Sequence, residues 1–238
     1  MFIHLRTHSH YSLLKALPKI HPLVARAKAL GMSSLALTDY SNMYGTIEFY
    51  KACKDAKIKP IIGVEFSMLY NERLFKITLL AKNIHGYKNL MRITSVVNME
   101  NSESPVLSFE TLITYKEGII VLSGGPWGDI STLLTIDKKQ ALLRLHEYQK
   151  HFENHFYLEI TPHTFMDRGD EMRNKTISFA REHNIPLIAT WNSHYIQPQD
   201  KAAHKTLYSV HGDQTSLDEY QILFQKGDFH FASEVLAK

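Results

Sequence analysis

Residues 21–66 read HPLVARAKALGMSSLALTDYSNMYGTIEFYKACKDAKIKPIIGVEF, and this stretch decides the fold class. His21 to Leu30 spaces its apolar side chains as a helix does, and Gly31 is the residue type that commonly closes one. Ser34 to Thr38 (SLALT) is short and continuously apolar, so it reads as a buried strand. Gly45 to Asp55 is helical again, with Ile47, Tyr50 and Cys53 spaced for one face. Pro60 to Phe66 is a further strand. Helix, strand, helix and strand in so short a span is the rhythm of βα units around a parallel sheet.

The same rhythm extends both ways. Phe2 to Arg6 reads as a first strand and Lys76 to Ala81 as another, followed by a helix over Gly86 to Val97. Gly118 to Ser123 (GIIVLS), Phe156 to Ile160 and Pro186 to Thr190 (PLIAT) are strands. Asp137 to His151 is an amphipathic helix with Leu142, Leu145 and Tyr148 on one side; Asp170 to His183 and Pro198 to Ser209 are also helical. About seven strands in one domain favour a distorted barrel of the (βα)7 type, although the pattern also accommodates an open sheet. Met99 to Pro105 (MENSESP) reads as a surface excursion. Residues 1–238 are expected to form one domain, with a less regular tail over 212–238. The sequence ends inside an expected element, Phe231 to Ala237, as a fragment of a longer protein would.

Composition narrows the class. Of 238 residues, 44% are apolar and 21% charged, which is ordinary for a globular protein, and the net charge of +3 marks no nucleic-acid stripe. No run approaches the roughly 20 apolar residues that a membrane span needs. The opening Met1-Phe2-Ile3-His4-Leu5-Arg6 runs straight into polar residues, so no signal peptide is expected. A single cysteine, Cys53, forbids an internal disulfide and reads as a small packed hydrophobe. A cytoplasmic location follows as the expectation.

Parallel α/β barrels place their chemistry at the carboxyl ends of the strands. His8 and His10 follow the first expected strand, Asp39 and Tyr40 the second, and Glu65 ends the third. His163 follows Phe156 to Ile160, and Asn192 and His194 follow Pro186 to Thr190. Histidines and carboxylates converging there could hold divalent ions and activate water against a phosphoester. One histidine near a strand end is commonly a surface or hydrogen-bonded group, and fourteen in the chain make chance placement common. Four at successive strand ends form a pattern.

These residues also carry a resemblance. Phe2-Ile3-His4-Leu5-Arg6-Thr7-His8-Ser9-His10-Tyr11-Ser12-Leu13-Leu14 resembles the opening F-x-H-L-H-x-H-S-x-Y-S-L-L of the polymerase-and-histidinol-phosphatase (PHP) domain of bacterial DNA polymerase III alpha subunits. Leu35 to Gly45 is similar to that family's L-A-L-T-D-H-G-N-M-x-G, and Glu48-Phe49-Tyr50 and Ile58 to Glu65 follow at the family spacing. Leu79 to Asn83, Val121 to Gly124, Phe156 to Glu159 and Ala189 to Tyr195 continue the likeness in order over nearly the whole chain.

The resemblance implies a PHP fold, and it implies a damaged metal site. Of the family's ligands, His8, Glu65, His163 and His194 remain, His163 with the loosest match because Thr161-Pro162 beside it differ. Five ligand positions are substituted: Arg6, Lys15, Tyr40, Lys76 and Asn192. Arginine cannot give up its proton to become a ligand. Two like charges at about 4 Å repel by about 4 kcal/mol at an effective dielectric near 20. The resemblance therefore implies no catalytic residue in this chain and no cofactor beyond at most one divalent ion, with magnesium serving the parent polymerase. Arg6 is expected to pair with Glu65. Implied partners are the rest of the alpha subunit, the proofreading exonuclease subunit and, through the parent enzyme, DNA; no membrane is implied. The implied role is structural. A metal-dependent phosphoesterase of the same superfamily is the alternative, and an anion pocket around Arg6 and Lys76 is a third reading.

Overall fold

Short apolar runs become buried strands, and the amphipathic stretches between them become helices. The computed structural model describes residues 2–100, 104–162, 169–211 and 227–234. Its elements run α1 (Ile20–Ala29), β1 (Ser34–Leu37), α2 (Thr46–Ala56), β2 (Lys59–Tyr70), β3 (Arg73–Ala81), α3 (Ile84–Glu100), β4 (Val106–Leu107), α4 (Phe109–Thr114) and β5 (Ile119–Leu122). They continue with α5 (Asp129–Ile136), α6 (Lys138–Phe152), β6 (Phe156–Ile160), α7 (Gly169–Glu182), β7 (Leu187–Ala189) and α8 (Lys201–His211). The mixed α/β class expected from the sequence is the class found. The chain divides into two compact units: Met1–Ile61, Pro162–Asp167 and Thr190–Lys238 form one, and Ile62–Thr161 with Arg168–Ala189 form the other.

In the first unit, β1 is buried along its whole length. The expected strand Phe2 to Arg6 is not a regular strand; it is extended chain tied to its neighbours by isolated bonds. Ala36 N–H donates to the His4 carbonyl at 2.9 Å and Thr38 N–H to the Thr7 carbonyl at 2.8 Å. On its other side Thr7 forms a parallel bridge with Ser193, and His8 N–H reaches the Ser193 carbonyl at 3.0 Å. The 190–195 segment is bonded in turn to 229–231, through His194 N–H to the Phe229 carbonyl at 2.8 Å. Side chains alternate along extended chain, so Arg6, His8, Asn192 and His194 fall on the face opposite Thr7 and Ser193. Helices α1 and α2 pack together through Leu23, Val24, Ala27, Phe49 and Ala52, all buried. Cys53 is fully buried on α2, as expected of a packed hydrophobe, and burial pushes its thiol up to about 12.

The second unit departs from a purely parallel sheet. β2 and β3 form an antiparallel hairpin from Gly63↔Leu80 to Tyr70↔Arg73. Its two-residue turn is Asn71-Glu72, with φ of 48° and 61°. Positive φ at both positions gives the turn whose twist matches the strands. The sequence gives little sign of it, because glutamate stands where glycine usually does. β3 is also antiparallel to β5, whereas β5–β6, β6–β7 and β2–β4 are parallel. On α3, Leu90, Ile93 and Val97 form the buried stripe; each such side chain contributes about 1.5–3 kcal/mol on burial. Asp137 caps α6, its side chain accepting from Lys139 N at 2.8 Å. Gly124 has φ of 79°, and a Cβ there would lie 1.9 Å from the Lys76 carbonyl oxygen.

Helices α4 and α5 and strand β4 are additions to the elements expected from the sequence. α5 abuts α6 through a shared cap, Asp137, so the sequence shows no turn between them. The stretch read as a surface excursion begins inside α3, which continues to Glu100. Of the element expected over Phe231 to Ala237, residues 231–233 carry no helix or strand. Residues 212–226 and 235–238 of the expected tail lie outside the described residues. Among the described residues no helix is long and apolar enough to cross a membrane.

Candidate functional site

The first unit gathers most of the residues singled out in the sequence. Arg6, His8, Asn192 and His194 are all fully buried, and Asp39 nearly so. The His8 ring stacks on Tyr40 at 4.3 Å between centroids and on His194 at 4.4 Å. Tyr40 Oη and His194 Nε2 are hydrogen-bonded at 3.0 Å. His8 Nδ1 donates to the Ser193 carbonyl at 3.3 Å. The substituted position Lys15 is also here, its ammonium 4.9 Å from the Tyr40 ring centroid, as a cation over an aromatic face prefers. His10 lies against Tyr11 at 4.2 Å.

Asp39 is engaged locally. Its Oδ1 accepts from Ser9 N and Ser12 Oγ, both at 2.6 Å, and its Oδ2 accepts from Ser9 Oγ at 2.7 Å. Ser12 Oγ also accepts from Tyr40 N at 3.1 Å. The carboxylate therefore holds the 9–12 turn and its own neighbour in place. Hydrogen bonds to an ionised group are the strong kind.

Asn192 is unlike its neighbours. Its amide nitrogen and oxygen are both buried and neither has a hydrogen-bond partner in the structure. Desolvating an unpartnered amide costs on the order of 1–3 kcal/mol. It is the one substituted position whose head group is left with nothing to bind among the described residues.

Three further histidines frame the cluster, and the strand-end pattern of the sequence points to none of them. His204, on α8, donates from Nε2 to the Lys15 carbonyl at 2.9 Å and lies 5.6 Å from the His194 ring. Burial lowers its pKa. His4 donates from Nε2 to the Ala232 carbonyl at 2.9 Å, and burial holds it down to about 4. His230 is paired with Asp228 at 2.8 Å. The signal available for His4 is its alternation with Arg6 and His8 along extended chain.

Glu65 and Lys76 belong to the second unit. Glu65 is fully buried on β2 and faces Thr78 across the hairpin; Lys76 faces Ser67 and donates to its hydroxyl at 2.9 Å. Alternation puts Glu65, Ser67, Lys76 and Thr78 on one face of the hairpin. Neither Arg6 nor Glu65 is without a partner. His163 lies outside the described residues. Among the described residues no three His, Cys, Asp or Glu side chains are placed to hold a metal ion.

Residues 4–163 match the PHP domain family. The chain is 36% identical to the DNA polymerase III subunit alpha of Vibrio cholerae over 91% of its length, 35% identical to that of Borreliella burgdorferi over 98%, and 39% identical to that of Bacillus subtilis over 88%. It spans about a fifth of those relatives, 19%, 21% and 19% of their lengths. Among solved structures, an amidohydrolase from Chromobacterium violaceum with bound sulfate and no metal superposes with a TM-score of 0.57 at 15% identity, covering 81% of this chain and 87% of that one. A candidate metal-dependent phosphoesterase from Bifidobacterium adolescentis gives 0.54 at 14% identity, over the same shares of the two chains. At such identities the likeness is one of fold.

Proposed function

The chain belongs to the PHP domain family, and from that premise we propose that it is the N-terminal domain of a DNA polymerase III alpha subunit, with a degenerate metal site and a scaffolding role in chromosomal DNA replication. The observation that carries this reading is the similarity to alpha subunits over 88–98% of the chain. In this reading residues 1–238 are one PHP domain, and 212–238 lead toward the polymerase body. The parent enzyme, a cytoplasmic nucleotidyltransferase using magnesium, acts on DNA, and this domain docks its proofreading exonuclease subunit.

The side chains support a structural remnant. A cluster of several ions needs anionic or neutral ligands with free lone pairs. Here Arg6 is a buried cation, Tyr40 occupies His194 Nε2, and Asn192 has no charge to offer. Asp39, the one carboxylate of that cluster among the described residues, already accepts three short hydrogen bonds. These residues do not fit a multi-ion cluster.

Two measurements test the reading. The chain should bind the proofreading exonuclease subunit of the same cell in a purified two-component titration; no binding at tens of micromolar, a weak affinity by any standard, would remove the docking role. It should not hydrolyse a phosphomonoester or single-stranded DNA with manganese or zinc. Metal-dependent turnover that His8→Ala abolishes would establish the phosphoesterase instead.

A further inference from the structure

Five large apolar side chains stand exposed on two pieces of chain in the first unit. Leu13 and Tyr44 are each 72% exposed, Ile47 57%, Tyr50 46% and Leu14 39%. Single exposed leucines are ordinary, but grouped ones mark a surface that meets something. They lie on two adjoining pieces of chain, the turn around Ser12 and the start of α2, and Tyr11 joins the two. Its carbonyl accepts from Asn42 Nδ2 at 2.9 Å, its ring lies on Gly45, and its hydroxyl donates to Glu48 at 3.1 Å. Along α2, Ile47, Tyr50 and Lys54 follow one another at helical spacing on one face.

The turn is held rigid from beneath. Ser9 and Ser12 are fixed on Asp39, and the Lys15 carbonyl is held by His204. Within it Leu14 has φ of 59°, a left-handed conformation that leucine rarely adopts. With 39% of its surface exposed, Leu14 offsets only part of that strain by burial. Strain of this kind persists where a residue is presented for use.

The rim of the patch is basic. Lys19, Lys51, Lys54 and Lys57 are exposed, with Asp55 the exposed acid among them. Glu48, with 35% of its side chain exposed, accepts from Tyr11, and His21 lies 3.8 Å from it. Lys54 lies 5.7 Å from the Tyr50 ring centroid.

We infer that this face docks an acidic segment of a second polypeptide that carries aromatic or aliphatic anchors. Leu13, Leu14, Tyr44 and Ile47 receive the anchors, and Lys51 and Lys54 receive the carboxylates. An apolar centre with a charged rim is the usual anatomy of such a site. Single-stranded nucleic acid fits less well, because three of the five exposed side chains, Leu13, Leu14 and Ile47, offer bases no stacking face. The inference goes beyond the scaffolding role, because it rests on exposure and charge whatever the parent protein is.

The probe is a soluble random copolymer of glutamate and tyrosine, titrated calorimetrically into the full chain, with polyglutamate and oligothymidylate as controls. The copolymer should bind more tightly than polyglutamate, and salt should weaken it. Leu13→Ser with Tyr44→Ser and Ile47→Ser should weaken it by about tenfold or more, and Lys51→Glu with Lys54→Glu by a similar factor. Each variant should melt as wild type does, because the side chains are exposed. Leu14→Gly separates function from fold: it relieves the left-handed strain, so it should melt no lower than wild type, yet bind several-fold more weakly. A copolymer that does not bind, variants that bind it undiminished, or oligothymidylate binding more tightly than the copolymer would each overturn the inference. The exonuclease subunit is absent from this assay, so failure here leaves the docking role to its own titration.

Discussion

Among the described residues each unit fully buries an arginine, and the two units put theirs to different use. In the second unit Arg144, on α6, is 1% exposed and fully accounted for. Its Nε donates to Asp129 Oδ2 at 2.6 Å, its Nη1 to Glu147 at 2.6 Å and its Nη2 to the Tyr148 hydroxyl at 3.1 Å. The guanidinium also lies 4.3–4.5 Å from the ring centroids of Tyr70, Phe109 and Tyr148. It is a clamp made from α5, α6, α4 and β2. In the first unit Arg6 is completely buried; the cluster of that unit holds stacked histidines, an aspartate that accepts three hydrogen bonds and an asparagine whose amide has no partner. In the proposed reading, this cluster keeps the outline of a ligand site with its ligands exchanged.

The largest effect expected is at Arg144. Arg144→Ala leaves Asp129 buried without its cation and strips three rings of a neighbour. Breaking one side of a buried pair costs about 3–5 kcal/mol, and the lost packing puts this variant at the upper end. Denaturant unfolding would measure it, and a loss below about 1 kcal/mol would show that the clamp is ornamental.

Arg6→Ala comes next, at about 3 kcal/mol or more if its charge is paired in the interior. Combining it with Glu65→Gln tests the partner expected from the sequence. A coupling above about 1 kcal/mol would support that pair, and additivity within about 0.5 kcal/mol would exclude it.

Acid should separate the two units. Burial depresses His4 from its ordinary 6.5 to about 4, so on acidification the unfolded chain takes up a proton before the folded one does. Stability is full above about pH 6.5 and falls toward pH 4, by up to about 3 kcal/mol from His4. His204, lowered for the same reason, adds to the fall. Hydrogen exchange over that range should show first-unit amides losing protection before those of the second. Simultaneous loss would remove the distinction.

The smallest effect is at Asp39. Asp39→Asn keeps the shape but loses the charge that three short hydrogen bonds favour, at about 1–3 kcal/mol. Ser9→Ala and Ser12→Ala should each reproduce part of that loss; no loss from any of the three would contradict the turn-holding role.

What is legible in the sequence is whatever is set locally or by motif. The α/β rhythm of residues 21–66 and the β6 strand are intrinsic to apolar spacing. His8, Tyr40 and His194 come together because extended segments lying side by side share a face and an end. Tertiary choices stay hidden. A serine hydroxyl can serve many acceptors, so nothing in Ser9 or Ser12 announces Asp39. The Asn71-Glu72 turn conceals an antiparallel hairpin, and Arg144 looks like an ordinary helix-surface cation. His204 lies far along the chain from the turn it holds.

The central claim is that the cluster around His8 and His194 is a structural remnant rather than a multi-ion centre. The direct measurement is elemental analysis of the chain purified without chelator and dialysed against metal-free buffer, followed by calorimetric titration with zinc and manganese. The account predicts at most one ion per chain, and no second tight site on titration. Two or more tightly held ions per chain, released by His8→Ala, would contradict it.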